Sequence, residues 1–184
     1  MLRRGPHAGR SMNSIVTVRP ALPADYADIA RITVASYLHA GYFDSEDHPY
    51  MVQVQDVAAR AADAVVWVAE RDGEIAGSVT LARAGDPYAD IALGDELEFR
   101  MLVVDPALQR GGVGRAIVHA IIARARELDG VAAVSLTTGQ HWHSAHALYR
   151  SMGFSRVPER DWLVPGTDIE LQVYRMELDG PGPV

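Results

Sequence analysis

The chain reads as one mixed α/β domain whose sheet is partly antiparallel and partly parallel. Three observations predict this class. Asp72-Gly73 separates two apolar runs, Val65–Ala69 and Ile75–Leu81, and Asp-Gly between such runs is the strongest short signal for a hairpin. Farther on, an apolar run closed by Asp105-Pro106 passes through a glycine-rich turn into a long amphipathic stretch and then a further apolar run, a strand–loop–helix–strand unit. Helical spacing also precedes the hairpin, so helices come early rather than in strict alternation with strands.

Each element has its own signal. Ile15, Val16 and Val18, halted by Pro20, predict a first strand. Pro23 suits a first helical turn with Asp25 near its positive end, and Ile29, Ile32, Ser36 and Tyr37 then recur on one side. A second, weaker helix is predicted over Met51–Ala62. The hairpin strands follow, then a polar loop from Ala84 to Asp95 and a strand over Leu97–Val104. The turn Gln109–Gly114 opens a helix with Ile117, Ile121, Ala125 and Leu128 on one face, and Gly130 supplies its stop. Val131–Thr138 reads as a strand, His143–Met152 as a short helix ended by Gly153, and Ile169–Leu178 as a last strand. Residues 1–13 are expected to be a tail, with Met12 an alternative start, residues 14–178 the domain, and residues 179–184 a frayed end.

Composition narrows the chemistry. The chain has 184 residues, 17 basic and 24 acidic, for a net charge of −7. One core of ordinary size fits this length. Every basic residue other than His is Arg, so a lysine Schiff base and the lysine of a phosphate-binding P-loop are excluded. Without Cys there is no disulfide, thiol nucleophile or cysteine-bound zinc, and the composition suits a reducing, cytoplasmic setting. The acidic balance disfavours a nucleic-acid partner, and no apolar run reaches the length needed to cross a bilayer. The leader carries Arg3, Arg4 and Arg10 but no apolar stretch, so it is not expected to be a signal peptide.

The segment Gln109-Arg110-Gly111-Gly112-Val113-Gly114-Arg115-Ala116 joins a strand to a helix start. Glycines let a backbone approach a ligand closely, and the free N–H groups of a helix start attract anions. On these residues alone, a phosphate site and a tight packing turn both stand. The P-loop and dinucleotide patterns fail, because no Gly-Lys-Ser/Thr is present and Ile117 occupies the third-glycine position. The pattern Q/R-x-x-G-x-G/A fits, with Gln109, Gly112 and Gly114, and a second motif, Ala145-His-Ala-Leu-Tyr149-Arg-Ser-Met-Gly153-Phe154, fits A-x-x-L-Y-x-x-x-G-F. On these two motifs the sequence resembles the GCN5-related N-acetyltransferase (GNAT) superfamily, over about Ile15 to Leu178 and specifically from Glu98 to Phe154.

The resemblance implies a mixed sheet of about six to seven strands flanked by about four helices. It implies acetyl-CoA as co-substrate, no metal, and an acetyl or short acyl transfer to a primary amine by direct attack. It assigns Gln109, Arg110, Gly111, Gly112, Val113, Gly114, Arg115 and Ala116 to the phosphates, and Leu102, Val103 and Val104 to the thioester end and pantetheine. It also implies a bulge in the central strand that frees a backbone N–H for the acyl carbonyl. Glu98, eleven residues before Gln109, matches the family's glutamate base, acting directly or through water, and is expected to be catalytic; beside Asp95 and Glu96 the other reading is a solvated strand carboxylate. Tyr149 matches the tyrosine that protonates the leaving thiolate, with a packing tyrosine as the other reading. The family often has Asn where Trp142 stands here, so Trp142 is expected either to wall the acceptor pocket or to pack. His141, His143 and His146 are expected to be polar surface rather than a metal site; the aromatic and acidic stretch from Tyr37 to Tyr50 would by family analogy shape the acceptor pocket, but is expected to be a solvated loop. The resemblance implies a small-molecule or peptide amine as acceptor; no membrane partner is expected, and a homodimer is compatible with the family. A non-catalytic acyl-CoA-binding module is the competing class.

Overall fold

A computed structural model describes residues 15–165 and 168–178; the expected tail and frayed end lie outside them. In chain order the elements are β1 (Val16–Pro20), α1 (Tyr26–His39), α2 (Pro49–Gln55), α3 (Val57–Asp63), β2 (Val65–Arg71), β3 (Glu74–Arg83), β4 (Glu96–Val104), α4 (Val113–Glu127), β5 (Ala133–Gly139), α5 (His143–Ser151), β6 (Ser155–Arg156), β7 (Trp162–Leu163) and β8 (Glu170–Glu177). The sheet order is β1-β2-β3-β4-β5-β8-β6, with β7 also on β8. β4 and β5 are parallel and the other pairs antiparallel.

The hairpin forms where its sequence signal lies. Asp72 (φ 55°) and Gly73 (φ 82°) are both left-handed, the turn whose twist matches the flanking strands. The second helix departs from its sequence reading. It breaks at Asp56, whose backbone leaves the helical region and whose carboxylate accepts the Ala59 N–H at 3.0 Å, capping α3. That break and the two-residue strands β6 and β7 give eight strands and five α-helices among the described residues. None of the described helices is long and apolar enough to cross a membrane.

Two cores flank the sheet. On one face Ile117, Ile121 and Ala125 of α4 and Tyr149 of α5 pack on Leu97, Phe99, Val134 and Leu136. On the other, Ile29, Ile32, Met51, Val54 and Val57 of the first three helices pack on Val66, Val68 and Val103. Each helix buries the face its periodicity marks.

Candidate active site

The site lies where β4 and β5 part. Their parallel pairing covers Glu96–Phe99 against Ala133–Leu136 and stops there, although β4 continues to Val104 and β5 to Gly139. The facing edges beyond Phe99 therefore carry no ladder between them. At the same point β4 bulges: Thr80 faces Arg100 and Ser78 faces Val103, leaving Met101 and Leu102 opposite Val79 alone. Met101 takes a left-handed conformation (φ 49°). The extra residue flips the strand's alternation. Before it, Phe99 faces the α4 core; after it, Leu102 and Val104 do, while Met101 and Val103 turn to the α1–α3 core. A cleft of about 710 Å³ opens over this bulge.

One wall is the glycine turn. Gly112, at φ 82°, precedes α4 with no side-chain cap, and the first helical bond runs from the Ala116 N–H to the Gly112 carbonyl at 2.9 Å. The N–H groups of Val113, Gly114 and Arg115 precede that bond and have no backbone acceptor among the described residues. Such a row at a helix start, following a left-handed residue, is an anion cradle. Three arginines stand at this wall. Arg110 and Arg115 line the cleft, and Arg71 lies over the turn, where a Cβ on Gly111 would meet its Nη1 at 2.2 Å. These residues fit the diphosphate of a coenzyme A donor.

The structure brings most of the sequence-named residues to this wall. Leu102, Val104, Gln109, Arg110, Gly112, Val113, Gly114 and Arg115 line the cleft. Val103 does not, because the alternation after the bulge turns it inward, 2% exposed. Gly111 and Ala116 stand in the turn and the first turn of α4 without lining the cleft. Arg115 also donates to Ser151 Oγ at 2.8 Å, which ties α4 to α5.

Tyr149 lines the cleft from α5 and packs edge-on against Phe99, centroids 5.7 Å apart. Burial raises the pKa of its phenol. Packing and cleft lining are thus combined in one ring. Glu98 is placed differently. It is fully buried and does not line the cleft. Its Oε2 accepts the N–H groups of Asp90, Ile91 and Ala92 at 2.9–3.0 Å. Its Oε1 is sealed from solvent without a hydrogen-bond partner, 3.8 Å from Arg100 Nε. Burial raises its pKa against the lowering effect of those N–H groups. Arg100, which does line the cleft, bonds the Tyr88 carbonyl at 2.8 Å and pairs with Asp90 at 2.5 Å. Glu98 and Arg100 together fasten the loop between β3 and β4.

The opposite wall is aromatic. Tyr37, Tyr42 and Tyr50 line the cleft, and Trp142 stacks on Tyr42 with centroids 3.7 Å apart. Trp142 needs the bare backbone of Gly139, where a Cβ would come within 2.7 Å of its ring. The stretch expected to be a solvated loop therefore supplies part of the site; the tyrosine cluster is its visible signal. His146 is not surface. Its Nε2 donates to the Gly139 carbonyl at 3.0 Å and its Nδ1 accepts from Tyr174 Oη at 2.7 Å, because a carbonyl can only accept. Burial lowers its pKa, and the side chain joins α5 to β5 and β8. The described residues hold no His, Asp and Glu group arranged for a metal.

Comparison with known proteins agrees with this geometry. The model of the acetyltransferase (GNAT) family matches residues 28–154. N-acetyltransferase family 8 member 3 of Rattus norvegicus is 36% identical over 93 residues, 50% of this chain and 39% of its own length. The mycothiol acetyltransferase of Cellulomonas flavigena is 32% identical over 151 residues, 77% of this chain and 41% of its own. The chain thus spans about two fifths of these relatives' length. A Salmonella typhimurium protein solved with its cofactor acetyl-CoA shares the fold, with TM-score 0.65 at 23% identity over 91% of this chain and 96% of that one.

Proposed function

The chain belongs to the acetyltransferase (GNAT) family, and on that footing we propose that it transfers an acetyl or short acyl group to a primary amine by direct attack of the amine nitrogen. The observation that carries this reading is one cleft shared by the amide cradle of α4, the unpaired edge of β4 at its bulge, and the Tyr149 phenol. Acetyl-CoA, when bound, supplies the acyl group activated as a thioester.

The protein's own groups do the rest. The N–H groups of Val113, Gly114 and Arg115 hold the diphosphate, with Arg110, Arg115 and Arg71 balancing its charge. Leu102 and Val104 flank the pantetheine arm. Backbone N–H groups freed at the bulge donate to the acyl carbonyl oxygen as charge develops on it. The C–N bond forms, the C–S bond breaks, and the proton lost by the amine ends on the departing sulfur. Burial holds the Tyr149 phenol above an ordinary thiol, whose pKa is about 8.5, so Tyr149 serves as a hydrogen-bond donor to that sulfur rather than surrendering its proton outright. Glu98 acts as a positioning residue, since both its oxygens are enclosed; the open cleft lets solvent take part in freeing the amine.

The test is release of free CoA across a panel of amines and short acyl-CoAs, paired with calorimetry of acetyl-CoA alone. Turnover with at least one amine is expected. Heat of binding without CoA release from any amine would favour a binding module, and no heat at all would sink both.

A further inference from the structure

Arg60, on α3, is 2% exposed. A guanidinium is always charged, and its burial is strongly unfavourable unless an anion or a full set of acceptors replaces water. Arg60 has neither. Its Nη1 meets the Met101 sulfur at 2.8 Å, a weak acceptor, while Nε and Nη2 are buried with no partner among the described residues. No carboxylate among the described residues acts on it electrostatically, and the like-charged Arg100 does. Tyr37, Tyr50 and Tyr88 are in electrostatic range, but burial raises Tyr37 and keeps that phenol neutral.

Nη1, held only by a thioether sulfur, and Nη2, with no partner among the described residues, form the end of the guanidinium that presents two N–H bonds to both oxygens of a carboxylate, and Met101 covers this end. Position matters as much as shape. Met101, which touches the guanidinium, is the left-handed bulge residue and lines the cleft beside Tyr37 and Tyr50. Methionine is flexible and readily repacked. We propose that the acceptor is an amine with a carboxylate close to its amino group, an amino-acid-type substrate, and that Arg60 binds this carboxylate in a bidentate pair as the Met101 side chain swings aside. The proposal rests on the acyltransfer reading and narrows its acceptor. A short link between carboxylate and amine is required, because an anion held against the bulge residue must leave the amine at the acyl carbonyl. Polyamines and aminoglycosides offer no such anion.

The experiment compares α-amino acids with their amides and their decarboxylated amines, at saturating acetyl-CoA, by initial rates of CoA release. The acid should lead its amide by roughly 100-fold in kcat/KM. In Arg60→Met that lead should collapse through a higher KM for the acid, with the Kd for acetyl-CoA unmoved; Arg60→Lys keeps the charge without the fork and should fall between. Melting curves provide the second readout. Ligand-free Arg60→Met should melt no lower than the natural protein, since it removes an unpaired buried charge. An amino acid should raise the melting temperature of the natural protein but not of the variant. Equal rates for acid, amide and amine would overturn the proposal, as would an Arg60→Met protein that melts lower yet still prefers the acid. Failure of acetyl-CoA binding would sink the acyltransfer reading instead, and the melting shift with amino acid would still report on Arg60.

Discussion

The two walls of the cleft are made of different material. On the α4 side the binding groups are backbone: N–H groups left over at a helix start, a left-handed glycine, and a strand edge without a partner. On the α1–α3 side they are rings and guanidinium groups, with Tyr37, Tyr42 and Tyr50 along the wall and Trp142 stacked across from α5. A backbone wall constrains residue types at fixed spacing, because a left-handed residue with open space around it is met at low cost by glycine. A side-chain wall has many solutions. On the acyltransfer reading proposed above, the first would hold the diphosphate that every CoA donor shares, and the second would be free to follow the acceptor.

Tyr149 stands where the walls meet, and its loss should have the largest effect. Tyr149→Phe keeps the ring packing on Phe99 and Phe154 and removes only the hydroxyl. A fall in kcat of roughly 100-fold is expected, the scale for deleting one donor aimed at developing charge, with the Kd for acetyl-CoA unchanged in calorimetry. A natural rate would confine Tyr149 to packing.

Acid titration probes the loop beneath the acceptor wall. Glu96 is fully buried; burial by itself would raise its carboxyl, but hydrogen bonds from Arg160, the Leu93 N–H and Arg175 outweigh this and bring it from 4.5 down to about 2. A carboxyl lowered by folding contributes stability that is complete above its unfolded pKa and fades as pH falls through the folded one. Denaturant melts should therefore lose about 3 kcal/mol between pH 5 and pH 2 from this group. Glu98, raised by burial, works in the opposite sense, since its charged form becomes less of a burden as pH falls. Glu96→Gln should flatten the acid limb of the stability curve.

How much of this is legible in the sequence depends on the material. The hairpin, the crossover unit and the glycine turn can be read because each requires particular residues next to one another in sequence: Asp72-Gly73, Asp105-Pro106, Gly112 and Gly114. The bulge is reached only through family resemblance, since no residue type announces that Met101 takes a left-handed φ. For Trp142 the sequence admits both wall and packing, and the side chain does both. The break at Asp56 is a local competition between a cap and continued helix. Arg60 and Arg100 carry no signal, because Arg60 acquires its meaning by meeting Met101 of β4 and Arg100 by reaching back to the Tyr88 carbonyl of the preceding loop, contacts invisible to periodicity.

The backbone wall can be broken at one atom. A Cβ on Gly112 would meet nothing within 4 Å, so space is not its constraint; its φ of 82° is. Gly112→Val forces a β-branched residue into the left-handed region at a cost of order 1–3 kcal/mol. Acetyl-CoA affinity should fall by roughly 10–100-fold as the cradle reshapes, while the acid–amide preference of the remaining turnover persists. If affinity stays unchanged, the diphosphate does not sit on these amides.

The smallest effect tests how far the acceptor wall depends on its support. Glu98 holds three loop N–H groups with one oxygen and keeps the other enclosed next to Arg100. Glu98→Gln preserves an accepting oxygen for that loop and removes the charge. As a positioning residue Glu98 should, on losing its charge, raise KM for the amine by less than about tenfold, and the rise of kcat/KM with pH should keep its midpoint, set by the amine's own proton. A general base behaves otherwise: its removal lowers kcat by about a hundredfold or more and erases a limb of the pH profile. The midpoint separates the two roles more cleanly than the rate, because a loosened loop also slows turnover but cannot move a titration that belongs to the substrate.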